Sequence, residues 1–520
     1  MINYSTILWP KKGLDIDESF HSQREETTPD CQNVMSYDQI SSRRRGGQRG
    51  GLVKYNASQV SSSNKLQDIG HVVTSNTSSL SPTAVVHRNV YAYAVANGTV
   101  ARFTGSSMTT ASGGSSALDA NAPAIFSASL FGVVYFADGT NKKTWTPGTN
   151  TVGTWTESAG TLPINGSDRP RLIELYRQRI IQSGLKGDGH NWFASALGDA
   201  TDWDYSPATT VETQAVAGNN ADAGKVGDLV NCMAPHNDDL LIFGCDSSIW
   251  QMTGDPMAGG RIDSVSQTTG MAFGRPYCKT PDGVIYFIGS RGGLWRMAPT
   301  VLPFRVSGGR VDSRLSDYDF DSTIVRMAYD DARQGVWAFF TPLDGSATTH
   351  YFYDLRTEAF LPQVFANANH NPTAVTVYDG DTAADRVMLL GGYDGYIRYV
   401  SDSAKDDDDT AISSHIYLGP IKSRGQARTM LREIRAVLDA DCEVNYEVYA
   451  GDSAQAAFEA TTPRLDGVFY GGRSKADRRR CQGHVFYIKL KNSRLGESWA
   501  METLQIGRKP IGKSRDRIPE

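Results

Sequence analysis

The stretch SSRRRGGQRGG (residues 41–51) sets four guanidinium groups, Arg43, Arg44, Arg45 and Arg49, among glycines. Guanidinium forks bind phosphate and carboxylate in the same bidentate geometry. Two chemistries follow. One is a flexible basic arm that grips nucleic acid; the other is a set of fixed donors for carboxylates. A second candidate is SDYDFDS (316–322), where Asp317, Asp319 and Asp321 alternate as in the first half of a calcium loop. The glycine such a loop needs is missing, because residue 322 is serine. A half-buried strand, aspartates on one face and Tyr318 and Phe320 on the other, explains the pattern without a metal. A third is the run of four aspartates in SDSAKDDDDTAISS (401–414). Adjacent like charges resist packing, so 401–411 reads as a solvated acidic linker rather than a calcium site.

Catalytic motifs are missing from the sequence. It has no GxSxG elbow, Walker-type loop, HExxH, or GxGxxG opening a helix. None of the nine histidines pairs with another at i,i+3 or i,i+4. ADGTNKKTW (137–145) misses the sialidase Asp-box pattern because Asp138 and Gly139 are adjacent. The six cysteines, Cys31, Cys232, Cys245, Cys278, Cys442 and Cys481, form no CxxC and read as small buried hydrophobes. The expectation is no enzyme, with no catalytic, cofactor-binding or metal-binding residues.

The elements that must carry these residues are strands. The chain has 520 residues, 51 glycines and 10% aromatics, the composition of β-rich chains with glycine at turns. Residues 242–252 (IFGCDSSIWQM) and 287–297 (FIGSRGGLWRM) align without a gap, matching Gly244 with Gly289 and Trp250 with Trp295. A third copy, LLGGYDGYIRY (389–399), keeps Gly391 and turns on Asp394-Gly395. Each reads as a β-hairpin. Looser copies begin near 90, 131, 171 and 335. A strand repeat of about 40–50 residues signals propeller blades. The fold class expected is all-β: a β-propeller of six or seven blades, with an extended N-terminal arm and a small C-terminal β-sandwich-like domain. The gap from 171 to 238 could hold an insertion or an irregular blade. A chain of β-sandwiches is the rival architecture.

The expected divisions are an arm at 1–60, the propeller at 61–400, the linker at 401–411, a β domain at 412–508 and a basic tail at 509–520. Residues 104–121 read as a loop. Net charge is −5, which argues against tight nucleic-acid binding over the whole surface. The charge is uneven: residues 411–520 hold 19 basic and 13 acidic side chains, and 1–410 hold 33 and 44. No secretory signal is visible at the start. No apolar run reaches the roughly 20 residues that span a membrane, so no membrane partner is expected.

RLIELYRQRIIQSGLKGDGHNWFASALGDATDWDY (171–205) resembles a segment of bacteriophage tail proteins. The matching parts are Arg177, Arg179, Asn191-Trp192, Ser195, Gly198-Asp199 and Thr201-Asp202-Trp203-Asp204. SSRRRGGQRGGLVKY near the start and RRRCQGHVFYIKLKN…ESWAMETLQI near the end are similar to segments of the same proteins. The family is the β-propeller tail hub of short-tailed phages, of nozzle or tail tubular type. The resemblance implies a structural virion protein in the tail, assembled in the host cytoplasm. It implies a homo-oligomeric ring, a hexamer, below the portal and adaptor. Such a ring extends and gates the channel for genomic DNA and docks tail fibres or spikes. A propeller that depolymerises glycans and a monomeric protein-binding platform are the alternatives. Within the family reading the four arginines become clasp or subunit-interface donors, while Gly244, Trp250, Gly289, Trp295, Gly391 and Gly395 are structural residues of the blades.

Overall fold

A computed structural model describes residues 2–75, 88–104, 107–298, 301–380, 385–422, 427–474 and 476–513. The chain is all-β: seven propeller blades and one curled sheet. The innermost strands of the blades are, in order, Leu66–Ser75, Phe126–Leu130, Leu172–Tyr176, Val230–Asn237, Tyr277–Lys279, Thr323–Asp330 and Ala374–Asp379. Each blade is a four-stranded antiparallel sheet, and the seventh is extended by two short strands.

The hairpins legible in the sequence fall one to a blade. Most are the second and third strands, as in Leu240–Cys245 with Ile249–Thr253 and Ile285–Ile288 with Leu294–Met297. The long gap after residue 171 hides no eighth blade. A loop after Ala194 fills it, carrying only Val216–Ala217 and a parallel pair of Asp202–Trp203 with Ala159–Gly160. The stretch expected as a loop at 104–121 contributes the fourth strand of blade 1, Ser107–Thr110, paired to Thr99–Thr104; residues 105–106 lie outside the described chain.

The repeated glycines are steric requirements. A Cβ on Gly244 would lie 2.5 Å from Met271 Sδ and 2.6 Å from its Cβ. On Gly391 it would lie 2.7 Å from Ile69 Cδ1 and 2.9 Å from Leu66 Cβ, on blade 1; on Gly289, 2.7 Å from the Gly292 carbonyl oxygen. Gly395, at φ +83°, completes its turn against the carbonyls of Ser62 and Asn64. Trp250 donates to Ser248 Oγ at 2.8 Å, and Trp295 is stacked on Phe287. Gly244→Ala should cost about 1–3 kcal/mol in urea denaturation through overpacking. Gly148→Ala, with open space around it, should be neutral.

The ring is closed by the N-terminal arm. Its strand Gly51–Lys54 is the outer strand of blade 7, with Lys54 opposite Arg398 and Gly51 opposite Ser401. The inner strand of blade 7 meets that of blade 1, where Thr373 Oγ1 donates to the Leu66 carbonyl at 2.5 Å.

The rest of the arm joins the curled sheet. Asn3–Ile7 forms an edge of the curled sheet, Cys31–Gln32 its other edge, and Trp9, Leu14, Val34 and Met35 are buried. The C-terminal region is a single sheet wound round its long strand, Ala427–Gly451, which pairs with Met501–Lys513, Val485–Asn492 and Leu465–Arg473. Register shifts at 428/429, 431/433 and 437/438 curl it, because bulges add local twist. One continuous apolar core joins blade 6 (Trp337, Phe339, Phe352), the arm (Leu14, Val34) and the curled sheet (Ile434, Val448, Leu490). The strand Met501–Lys513 runs past the expected domain end at 508, and 514–520 lie outside the described residues.

Candidate functional site

Two charge clusters stand out. The first is built on the arginine run. Arg49, 1% exposed, forms a two-pronged bond with Asp407, which is fully buried: Nη1 to Oδ1 at 2.7 Å and Nη2 to Oδ2 at 2.5 Å. Its Nε donates to Asn33 Oδ1 at 3.2 Å, and its Nη atoms to the Gly50 and Val364 carbonyls. Asp407 also accepts the Ala366 amide at 2.9 Å. Arg45 ties Asp38 to the curled sheet: its Nε donates to Asp38 at 3.1 Å, and its terminal nitrogens reach Asp439 and Glu502. Burial pushes the Asp38 carboxyl up, but the Arg45 bond and the amides of Ser41 and Arg43 outweigh it and hold the pKa low.

The aspartate run is therefore not a solvated linker. Asp406–Asp407 pairs with Thr410–Ala411, and Asp407 lies parallel to Leu52. Asp408 takes Arg398 at 2.8 Å and Lys54 at 3.1 Å. Opposite charges more than 350 residues apart neutralise each other at the propeller closure. Arg45 and Arg49 thus act as clasps within the chain, while Arg43 and Arg44 are exposed.

Asp317, Asp319 and Asp321 are exposed as expected, and Tyr318 and Phe320 half-buried, but the backbone is not a strand. It turns after the short helix Asp312–Ser316, with Asp319 accepting from the Asp321 amide and Ser322 Oγ.

His350 lies beside the clasp, with the Phe365 ring in contact with both it and Arg49. Its Nδ1 accepts the Phe340 amide at 3.1 Å, and its Nε2 bonds Asn371 Oδ1 at 3.0 Å. Burial lowers its pKa from 6.5 to about 4. A depressed histidine stays neutral when folded and protonates when unfolded, so its contribution is complete above pH 6.5 and declines as pH falls towards 4. The expected slope is about 1.4 kcal/mol per pH unit in that window. His350→Gln should flatten that part of the curve in pH-dependent urea denaturation.

The second cluster lies on the propeller axis, since the inner strands of blades 1, 2, 3, 5, 6 and 7, or residues flanking them, all contribute to it. Arg275 Nε donates to Glu174 at 2.7 Å, and its Nη2 to the Ser127 carbonyl at 2.6 Å. Ser127 Oγ donates to Asp68 Oδ2 at 2.5 Å and also bonds the Tyr93 hydroxyl. Tyr277 completes the ring of donors to Glu174 at 3.5 Å. Arg326 lies 4.8 Å over the Phe126 ring, and its Nε donates to the Thr373 carbonyl at 3.2 Å. Burial pushes the Asp68 and Glu174 carboxyls up. It also lowers Arg326 to about 10. A cavity of about 110 Å³ remains among Asp68, Phe126, Arg275, Tyr277, Arg326 and Val375.

The sequence readings missed this cluster. The available signal was a charged residue inside the apolar run of three inner strands, Asp68 in LQDIG, Glu174 in LIELY and Arg326 in VRMAY. Which strands are innermost is a tertiary fact.

The residues behind the phage resemblance brace blade 3. Arg179, fully buried, donates to the carbonyls of Ser195 (3.0 Å), Glu212 (2.9 Å) and Gln214 (2.6 Å), and to Asp255 at 3.2 Å. Trp192 and Trp203, also fully buried, donate to the Gly224 and Ala200 carbonyls.

No family model matches the chain, and no curated protein matches it in sequence. Among solved structures, it is similar to the extracellular domain of BT4673 from B. thetaiotaomicron at 10% identity and TM-score 0.43, covering 88% of this chain and 59% of that one. It is also similar to PorZ, a bacterial surface component of the type-IX secretion system of Porphyromonas gingivalis, at 12% identity and TM-score 0.35, covering 71% and 43%. The chain thus spans about three fifths of the BT4673 structure.

Proposed function

We propose that the chain is a structural ring subunit, a tail hub of a short-tailed phage that extends the DNA channel below the portal and adaptor and carries fibres or spikes. The observation that carries this reading is the unpaired rim of the curled sheet. Among the described residues its edge strand Asn3–Ile7 has one partner, Met501–Lys513, and Tyr4 is 62% exposed with Leu8, just beyond the strand, 69% exposed. On Leu465–Arg473, Tyr470 is 60% exposed. Natural proteins blunt or cover such edges, and a second copy covers them by strand pairing. Beside Asn3–Ile7 a groove of about 700 Å³ opens towards Leu418–Lys422, with Arg24 and Arg508 in its wall.

The space left on the propeller axis, about 110 Å³, is far too small for a duplex, so DNA would pass between copies arranged in a ring, not through one propeller. The shared core and the two arginine clasps tie the propeller to the curled sheet, which suits a subunit that serves as a wall.

Electron microscopy of the purified chain, and of the chain with its portal and adaptor, tests this. Six-fold rings are expected, with Asn3–Ile7 and Leu465–Arg473 at subunit contacts. A chain that stays monomeric with these partners, or is absent from the tail, overturns the reading. The glycan-depolymerase alternative would instead show polysaccharide cleavage by the isolated chain.

A further inference from the structure

The axial cluster has more donors than acceptors. Arg326 is 5% exposed, and its two terminal nitrogens have no hydrogen-bond acceptor among the described residues. Arg275 uses Nε and Nη2, which leaves its Nη1 in the same position. Both guanidinium groups line the cavity of about 110 Å³, room for a few waters or one tetrahedral ion. One oxygen of each neighbouring carboxylate is already engaged. Asp68 Oδ2 takes the hydroxyls of Ser127 and Tyr93, and Glu174 Oε1 takes Arg275 and Tyr277.

The position of Arg326 is fixed. Its face rests on Phe126, and Gly274, at φ +97°, is the close neighbour; a Cβ there would lie 2.8 Å from Phe126 Cζ and 3.3 Å from Arg326 Nη1. The backbone of Gly274–Arg275 bridges the inner strands of blades 4 and 6, which holds the two arginines side by side. Leaving the donors of the nearly buried Arg326 unmatched is costly, whereas an oxyanion would satisfy them, together with those of the 30% exposed Arg275, through charge-assisted bonds.

We infer that the axial cavity binds one small oxyanion, of phosphate or sulfate size, between the terminal nitrogens of Arg326 and Arg275. With Asp68 and Glu174 ionised, the four charges cancel before the anion enters. Asp68 balances the added charge by taking a proton, since burial already favours its neutral form. The other titratable groups that face it are Tyr93 on blade 1, Glu174 on blade 3, Arg275 and Tyr277 at blade 5, and Arg326 on blade 6, with Cys232 of blade 4 behind Glu174. Blades 2 and 7 present only Phe126, Ser127 and Val375.

Sulfate, whose charge does not change across the pH range used, titrated into the full chain at fixed ionic strength tests the site. A saturable rise in unfolding temperature is expected, with one site per chain by calorimetry and an affinity that falls as pH rises from about 5.5 to about 8. Arg326→Met should weaken binding about tenfold or more, the loss of one charge-assisted pair. Arg261→Met, on an exposed strand, should leave it unchanged. No saturable response, an affinity that does not fall with pH, or wild-type binding by Arg326→Met overturns the inference. Should that variant not fold, bromide-soaked crystals of the unmodified chain decide. An anomalous peak between the two guanidinium groups supports the site, and an empty cavity overturns it.

Discussion

Replacing Arg49 by methionine lowers the stability of the folded chain by about 3–5 kcal/mol, the range for removing one partner of a buried ion pair. The size follows from what remains. Asp407 is fully buried, and without Arg49 its carboxylate keeps, among the described residues, only the Ala366 amide. Asn33 and the Val364 carbonyl also lose their shared donor. The damage falls where strand Gly51–Lys54 closes the propeller, so blade 7 should open first. Urea denaturation of Arg49→Met beside Arg44→Ala, whose side chain is exposed, measures the effect. A shift no larger than that of Arg44→Ala would show that the clasp does not hold the ring shut. Adding Asp407→Asn to Arg49→Met should recover part of the loss, because the stranded charge is then gone.

At the axis, Arg275→Met is expected to cost about 1–3 kcal/mol near neutral pH, less than Arg49→Met because the Arg275–Glu174 pair is partly exposed, and this cost should depend on pH. The substitution leaves Glu174 with Tyr277 alone and removes a cation from beside Asp68. Burial already raises both carboxyl pKa values in the fold, and loss of Arg275 raises them further. A carboxyl with a raised folded pKa favours the fold below its unfolded value, near 4.5 for Glu174, and loses that contribution as pH rises through the folded value. The deficit of Arg275→Met against the parent should therefore be small near pH 4.5 and grow towards pH 8. Urea midpoints of both proteins across that range give the answer. A deficit that is constant, or that shrinks as pH rises, would mean that Glu174 and Asp68 are not held ionised by Arg275.

Much of the fold was legible because blade hairpins are local. Leu240–Cys245 and Ile249–Thr253 are joined by three residues, and their register follows from the turn and the alternation of side chains. The glycines were legible for the same reason, although the atoms that forbid a side chain, such as Leu66 and Ile69 beside Gly391, belong to the next blade. The curled sheet was read as strands but not as one sheet, since strand Ala427–Gly451 changes partners along its length through register shifts that composition does not announce.

The sequence by itself determined an all-β chain of hairpins repeating as six or seven propeller blades, and it placed arginine and aspartate runs as unusual local chemistry. Only the tertiary structure decided that those two runs meet. Asp407 lies beside Leu52 because the last blade borrows its outer strand from the N-terminal arm, and circular closure leaves no local trace in a linear pattern. The axial cluster has the same cause. Asp68, Glu174, Arg275 and Arg326 are single charges in separate apolar stretches, and they become one site because seven blades turn their first strands towards a common axis. There, burial removes water and makes each charge depend on the others.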